Sequence, residues 1–233
     1  MDRVMQIVGG GRMGEALLGG LIAGGRAAES LAVVEVAAPR REQLAGEYPG
    51  VNVTDAPVEA PDALLAVKPG DVPAAAEAVA AAGAERVLSV AAGVTTRAIK
   101  EAAGGRVRVI RAMPNTPALI GAGASAIAAG AGAGEEDMAW AEQVLGAVGV
   151  VVRVPEAQLD AVTGLSGSGP AYVFLVAEAL AEGDTSPAEL RAAVTSPGGT
   201  TAAGLAELER NGARAAFLDA VSAATRRSRE LGA

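Results

Sequence analysis

The sequence predicts an α/β protein in which a mostly parallel sheet domain is followed by an all-α domain. Short β-branched segments alternate with alanine-rich helical segments over the first two-thirds of the chain, as βαβ units require. Beyond Pro155 only helical segments follow. We therefore place the sheet domain at residues 1–154 and the helical domain at residues 155–233.

The elements are predicted in order from apolar periodicity and from helix start signals. Strands are expected at 4–8, 31–36, 51–53, 63–67, 86–90, 107–112, 124–128 and 150–154. Helices are expected at 13–23, 73–82, 96–103, 135–148, 156–162, 171–181, 187–193, 200–210 and 213–231. Asp71 before Val72 and Pro73, and the acidic residues from Glu135 onward, are typical of helix N-termini.

The composition limits which side chains can form the core and which catalytic mechanisms are possible. Of the 233 residues, 51% are hydrophobic but only 2% are aromatic, so the core must pack Ala, Val, Leu and Gly closely. Such a core suits helices lying on a parallel sheet. The chain has no His and no Cys, which excludes disulfides, thiolate zinc sites, Cys nucleophiles and imidazole bases. We expect no metal site.

Charge and hydropathy indicate a soluble protein. The net charge of −8 argues against a nucleic-acid partner, because such partners are held by cationic contacts to phosphates. The longest uncharged segment, 112–134, is rich in Pro and Gly and is not a membrane span. No basic and apolar leader opens the chain, and cysteine is absent, so we expect a cytoplasmic protein with no membrane contact.

A glycine motif, G-x-G-x-x-G, occupies residues 9–14 between the first predicted strand and the first predicted helix. In a Rossmann-type domain Gly9 makes the tight turn, Gly11 lets the backbone approach a pyrophosphate, and Gly14 lets the helix pack on the strand. The N–H groups at the helix N-terminus then face the anion. In this context the motif predicts dinucleotide binding.

The end of the second strand leaves the choice of dinucleotide open. Glu35 lies 21 positions after Gly14, near where an acidic residue takes the ribose 2′-hydroxyl of NAD(H). Arg40 and Arg41 follow and could pair with the 2′-phosphate of NADP(H). A charged turn in contact with solvent alone is the third alternative.

Further turns follow other predicted strands, where ligands bind in such sheets. They are 65–69 with Lys68, 89–95, and 111–117, in which Asn115 lies between two prolines. The helical part adds two clusters of Gly, Ser, Thr and Pro, at 163–170 and 195–201. Their hydroxyl and N–H groups favour a small carboxylate ligand. Ordinary tight turns and helix caps are the alternatives.

Five motifs together resemble the pyrroline-5-carboxylate reductase family. They are Gly-Gly-Gly-Arg-Met-Gly at 9–14, Ala-Val-Lys-Pro at 66–69, Arg-Ala-Met-Pro-Asn-Thr-Pro at 111–117, Leu-Ser-Gly-Ser-Gly-Pro-Ala-Tyr at 165–172 and Thr-Ser-Pro-Gly-Gly-Thr-Thr at 195–201. The resemblance runs from residue 4 to about 231. It implies NAD(P)H-dependent reduction of 1-pyrroline-5-carboxylate to L-proline, with NADP(H) favoured and NAD(H) possible. It also implies a helical dimerisation domain and a homodimer or a ring of dimers.

The resemblance also assigns roles to residues. The pyrophosphate would lie on Gly9, Gly11, Met13 and Gly14. The path from adenosine to nicotinamide would be lined by Ala66, Val67, Lys68, Pro69, Ala91, Ala92 and Asn115. The substrate carboxylate would bind to Ser196, Gly199, Thr200 and Thr201. The Thr163 hydroxyl would lie beside the ring nitrogen, as a hydrogen-bonding or proton-relaying group.

The absence of His agrees with imine reduction. Reduction of a keto acid needs an acid, commonly His, for the developing alkoxide. A cyclic imine can enter already protonated, so hydride transfer yields a neutral amine. A dehydrogenase of the same plan acting on a hydroxy acid, and a non-catalytic nucleotide sensor, are the competing hypotheses.

The sequence departs from the family pattern between Gly183 and Asp184. A helical hairpin of roughly 30–40 residues is missing before the motif at 195–201. Either the protein has a genuine deletion here, or the sequence omits residues that were not seen in a set of coordinates. We favour the second interpretation.

Overall fold

A computed structural model covers residues 1–233 and describes residues 4–171, 173, 200–213 and 215. Contacts divide the chain into two compact units, Met1–Pro170 and Ala171–Ala233. The helix predicted at 187–193, and almost all of those predicted at 171–181 and 213–231, lie outside the described residues.

The first unit is built on one eight-stranded sheet with the order β3-β2-β1-β4-β5-β6-β7-β8. The strands are β1 Met5–Val8, β2 Leu31–Val34, β3 Asn52–Thr54, β4 Asp62–Leu65, β5 Arg86–Ser89, β6 Arg108–Met113, β7 Gly123–Ala129 and β8 Gly149–Arg153. Every pair is parallel except β6 with β7. The α/β class and all eight predicted strands are confirmed, with ends shifted by at most two residues.

Helices with described bounds connect and flank the strands of this sheet. They are α1 Arg12–Ala23, α2 Ala38–Glu47, α3 Val72–Ala81, α4 Thr96–Ala102, α5 Glu135–Gly146 and α6 Leu159–Val162. The sequence predicts no helix at the position of α2, and Arg40 and Arg41 lie in the first turns of this helix rather than in a turn between elements. Only Leu44 of α2 is buried, so the apolar periodicity is weak. Pro39 in the first turn was the available signal.

The core lies on both faces of the sheet and is almost wholly aliphatic. Ile7, Leu64 and Ile110 belong to a cluster with residues of α1 and α5. The neighbouring strand residues Leu65 and Val109 belong to a second cluster with residues of α3 and α4. Because successive strand side chains point to opposite faces, each central strand contributes to both layers. The two covered faces explain why these strands read as continuous apolar runs.

A buried ion network joins strands and helix at the edge where the parallel strands begin. The Asp62 carboxylate accepts two hydrogen bonds from the Arg86 guanidinium, at 2.7 and 3.1 Å. That guanidinium lies 4.3 Å from the ring centre of Trp140 on α5. Asp137, also on α5, accepts hydrogen bonds from Arg108 at 3.0 and 3.1 Å. The network therefore fixes β4, β5, β6 and α5 to one another.

The first unit extends beyond the predicted boundary near Pro155. Leu159 of α6 is fully buried against Met113 and two alanines of β7. Arg111 of β6 donates to Asp160 at 2.8 Å, which ties α6 to the sheet. These contacts hold residues 156–170 on the sheet unit. The assignment of dinucleotide binding to residues 1–154, and of substrate binding and dimerisation to residues 155–233, stays a prediction.

In the second unit, the structure describes one regular helix, α7 Thr200–Arg210, with the bounds predicted from the sequence. Arg210 pairs with Glu207 one turn earlier, and the Asn211 side chain donates to the Glu207 carbonyl at 2.8 Å.

Across the described part of the chain, no helix has both the length and the apolar character needed to cross a membrane.

Replacement of Asp137 by Asn is expected to destabilise the protein in a pH-dependent way. Burial raises the pKa of Asp137, but hydrogen bonds from the Gly134 N–H and from Arg108 outweigh it, so this pKa lies below its usual value. At neutral pH the variant should lose about 2 kcal/mol of unfolding free energy, as for a charged hydrogen bond. Because the native pKa is lowered, the difference from wild type should be complete above about pH 4 and vanish as the pH falls through that native pKa.

Urea unfolding between pH 2 and 7 measures this difference. Glu136→Gln, an exposed neighbour in the same helical turn, is the matched control and should change the unfolding free energy by less than about 0.5 kcal/mol. A wild-type-to-variant difference for Asp137→Asn that is the same at every pH would contradict the role assigned to this carboxylate.

Candidate functional site

The sheet brings several predicted ligand-binding turns to one edge. Its order sets the carboxyl ends of β2, β1, β4, β5 and β6 side by side. Backbone hydrogen bonds continue the ladder past the strand ends: the Gly9 N–H donates to Val34 at 2.8 Å, and the Ala66 N–H donates to Val8 at 2.8 Å. In open α/β sheets ligands bind at this edge.

Two glycines of the motif at 9–14 are required by the protein itself. Gly9 has a φ of +104°, and a Cβ there would lie 2.5 Å from the Ala66 carbonyl oxygen. A Cβ on Gly14 would lie 2.0 Å from the carbonyl oxygen of Gly9, far inside van der Waals contact. Only glycine at both positions lets α1 begin directly over the end of β1.

The third glycine has no such neighbour. A Cβ on Gly11 would meet no protein atom within 4 Å, and its backbone is extended, with φ −73° and ψ −175°. Gly11 is exposed and forms the N-cap of α1, where no side chain caps the helix. An uncapped helix N-terminus with open space beside its N-cap residue suits an approaching pyrophosphate. Met13 instead packs its side chain on the core.

The turns after β4 and β5 expose small or extended segments at this edge. Ala66 and Val67 are half-buried, whereas Lys68 and Pro69 are exposed. Lys68 has an extended backbone, and Pro69 begins a 3₁₀ turn, Pro69–Asp71. After β5, Ala91 is buried and Ala92 is exposed. The predicted contacts of these residues with a cofactor stay predictions.

Asn115 links three segments beyond β6. Its Oδ1 accepts a hydrogen bond from the Ala124 N–H at 2.8 Å, and its Nδ2 donates to Ser166 Oγ at 3.2 Å. The amide thus holds the start of β7 and the π-helical turn Thr163–Gly167 against the end of β6. Helix α1 packs against the next turn, Thr116–Ile120. The Asn115 amide therefore has a structural role that does not depend on any contact with a ligand.

The Thr163 hydroxyl is half-buried and already donates one hydrogen bond. Its Oγ1 lies 2.8 Å from the Leu159 carbonyl oxygen, one helical turn earlier. A threonine hydroxyl has one proton and two lone pairs, so with its proton engaged the oxygen can still accept. The structure therefore favours an acceptor at this position over a donor.

The predicted carboxylate seat belongs to the second unit. Ser196 and Gly199 lie outside the described residues, and Thr200 and Thr201 are the first two residues of α7. Their predicted role stays a prediction.

Sequence reasoning named Arg111 and Glu35 but did not predict which groups of the protein bind them. Arg111 is buried and pairs with Asp160, and Glu35 binds two backbone N–H groups. Neither partner choice has a local sequence signal, because 49 positions separate Arg111 from Asp160 and 25 separate Glu35 from Gly10.

A cavity of about 510 Å³ lies at the opposite edge of the sheet, among Asp62, Arg86 and Trp140. Asp62 and Arg86 are already paired with each other there. The cavity shares no residue with the glycine turn, so it does not belong to the candidate site.

Two family models match the chain. Residues 4–93 match "NADP oxidoreductase coenzyme F420-dependent", and residues 156–186 and 181–231 match "Pyrroline-5-carboxylate reductase dimerisation".

Individual relatives match over almost the whole chain. The pyrroline-5-carboxylate reductase of Synechocystis sp. is 44% identical, over 100% of this chain and 99% of the relative. A solved pyrroline-5-carboxylate reductase from Coxiella burnetii has a TM-score of 0.71 and 31% identity, covering 99% of both chains. That of Plasmodium falciparum, solved with NADP bound, has a TM-score of 0.67 but 22% identity, so it speaks for the fold alone.

The comparison also locates the interruption in the helical part. The alignment with the Synechocystis protein spans 268 positions against 233 residues here, a difference of about 35. The dimerisation model matches in two pieces that meet at residues 181–186. The structure covers the 233 residues of this sequence. The favoured interpretation, that the sequence closes over further residues near Gly183, stays a prediction.

The alignment spans the whole chain, including the glycine turn and the helical motifs, and the two family models match within the same two regions. By these matches the chain belongs to the pyrroline-5-carboxylate reductase family.

Proposed function

We propose that this protein reduces 1-pyrroline-5-carboxylate to L-proline at the carboxyl edge of its sheet, with NADP(H) as the favoured cofactor and NAD(H) as a second one. The observation that carries the cofactor proposal is the glycine turn. Gly9 and Gly14 are fixed by contacts within the protein, whereas Gly11 faces open space at an uncapped helix N-terminus. A glycine with no neighbour in the protein fits a backbone that a ligand approaches closely.

The residues present fit a nicotinamide dinucleotide. The N–H groups of α1 and the backbone of Gly9, Gly11, Met13 and Gly14 would hold the pyrophosphate. Small or extended segments would line the path to the nicotinamide, namely Ala66, Val67, Lys68, Pro69, Ala91, Ala92 and Asn115. When bound, the cofactor supplies the hydride that reduces the C=N bond.

The protein's own contribution to the chemistry is mainly positioning. The chain contains no His, and a protonated cyclic imine needs no strong acid, since hydride addition leaves a neutral amine. We propose that Thr163 Oγ accepts a hydrogen bond from the protonated ring nitrogen while donating its own proton to Leu159. That bond would orient the imine carbon. Ser196, Gly199, Thr200 and Thr201 are proposed to bind the substrate carboxylate.

Assembly and location are part of the same proposal. The match of residues 156–186 and 181–231 to a dimerisation model supports a homodimer. A ring of dimers and a cytoplasmic location are the finer proposals.

Activity is tested by following NADPH and NADH oxidation with pyrroline-5-carboxylate and with a panel of 2-keto acids. We expect turnover with the imine and with both cofactors, and none with the keto acids. Turnover of a keto acid alone would make the protein a different dehydrogenase. Cofactor binding without any turnover would make it a nucleotide sensor.

Gly11→Ala and Gly14→Ala should separate ligand binding from folding. Gly11→Ala should keep the wild-type Tm, because its Cβ meets no protein atom, but should weaken NADP⁺ binding by about tenfold or more. Gly14→Ala should lose about 1–3 kcal/mol of stability, because its Cβ would overlap the Gly9 carbonyl. Thermal unfolding without cofactor and calorimetric titration measure the two effects. Wild-type affinity in Gly11→Ala would remove the turn from the cofactor site.

Thr163→Ala should lower kcat by about tenfold, which corresponds to the loss of one hydrogen bond in the transition state. The Kd for NADP⁺ should stay within about twofold of wild type, since the cofactor is held elsewhere. Thr163→Ser keeps the hydroxyl and should retain most of the activity. Steady-state kinetics and cofactor titration check both variants, and an unchanged kcat in Thr163→Ala would exclude this hydroxyl from the mechanism.

A further inference from the structure

Arg111 of β6 carries a buried charge that is held by one short segment of the chain. Its side chain is 3% exposed, its Nη2 donates to Asp160 Oδ1 at 2.8 Å, and its Nη1 lies 3.7 Å from Glu156 Oε1. A buried cation is costly unless it is paired, so these two carboxylates stabilise it. Both belong to residues 156–160, which lead directly into the turn that begins at Thr163.

Glu156 fixes the same segment to a second element. Its Oε1 accepts a hydrogen bond from the Thr96 N–H at 2.7 Å, and its Oε2 accepts one from Thr96 Oγ1 at 2.8 Å. Thr96 is the first residue of α4, so this carboxylate satisfies the helix N-terminus from 60 positions away. Leu159 is fully buried on β6 and β7. Residues 156–160 are therefore anchored both to the sheet and to α4.

Thr163 lies between this anchor and a second one. Asp160 is three positions before it, and Ser166, three positions after it, accepts a hydrogen bond from the Asn115 amide at 3.2 Å. The turn Thr163–Gly167 is π-helical, a rare geometry that is frequent at functional sites. Two of its five residues are glycines, which restrict the backbone less than any other residue. The position of the Thr163 hydroxyl therefore depends on the two anchors.

We propose that Arg111 is a positioning residue for the Thr163 hydroxyl and acts through Asp160. The ion pair holds α6 against β6, and α6 runs without a break into the turn that carries Thr163. Loss of the ion pair releases this turn at one end, so the hydroxyl is oriented less precisely for the reaction. The inference rests on the proposed function, in which Thr163 binds the ring nitrogen.

The test is a double-mutant cycle on kcat with pyrroline-5-carboxylate, built from Asp160→Ala and Thr163→Ala. The Asp160 side chain is 77% exposed, so its removal should leave the protein folded. We expect Asp160→Ala alone to lower kcat by about fivefold. In the Thr163→Ala background it should lower kcat by less than about twofold, because the hydroxyl that it positions is already gone. The Kd for NADP⁺ should stay within about twofold of wild type.

Two further variants separate positioning from a general loss of stability. Asp160→Glu keeps a carboxylate for Arg111 and should recover most of the kcat that Asp160→Ala loses. Arg111→Lys keeps the charge but loses the planar guanidinium, and should repeat the effect of Asp160→Ala in both backgrounds. It also replaces Asp160→Ala in the cycle if that variant fails to fold. Thermal unfolding shows whether each variant is folded at the assay temperature.

Glu101→Ala is the matched control. It removes an exposed carboxylate from an ion pair with Arg97 on α4, and should leave kcat within about twofold of wild type.

The outcomes distinguish this inference from the proposed function. Equal loss of kcat from Asp160→Ala with and without the Thr163 hydroxyl would overturn the inference and leave the proposed function standing. An unchanged kcat in both Asp160→Ala and Arg111→Lys would do the same. An unchanged kcat in Thr163→Ala would remove that hydroxyl from the mechanism, and the inference with it. Absence of turnover by the wild type would overturn the proposed function itself.

Discussion

The close approach of Gly14 to the Gly9 carbonyl is the constraint on which the candidate site depends. A Cβ on Gly14 would lie 2.0 Å from that oxygen, so any side chain would push α1 away from β1. The positive φ of Gly9 turns the chain within the same few atoms. The close approach of Gly14 and the positive φ of Gly9 together place the N-terminus of α1 over the end of the central strand. A pyrophosphate seat then needs no cationic side chain.

The two edges of the sheet serve different purposes. At the edge where the parallel strands begin, ion pairs join Asp62, Arg86, Arg108 and Asp137, and the Trp140 ring lies against Arg86. Breaking such a buried pair is costly, so this edge stabilises the fold. At the other edge the chain turns through glycines, alanines and prolines, which leaves backbone groups accessible. Glu35 and Arg40 both bind the glycine turn there: the Glu35 carboxylate accepts from the Gly10 N–H, and Arg40 donates to the Gly10 carbonyl.

The shortening relative to the family leaves the sheet unit whole. All eight strands and the glycine turn are present, and residues 156–170 pack on β6 and β7. The difference of about 35 positions from the Synechocystis relative falls near residues 181–186, in the second unit. The sheet unit therefore keeps all eight strands and the glycine turn, and the difference in length falls in the helical part.

The sequence by itself determined the element order, the aliphatic core and the glycine turn, because strand periodicity and glycine spacing are local properties of the chain. It also sufficed for the family, through motifs such as that at 111–117. Helix α2 escaped detection, since Leu44 alone is buried on it. Only the tertiary structure decided the antiparallel β6–β7 pair, the partners of Arg40 and Arg111, and the tethering of Glu35 by Gly10 and Ala37. Most of these contacts join residues far apart in the chain, and partner choice at that range depends on how the strands are ordered in the sheet.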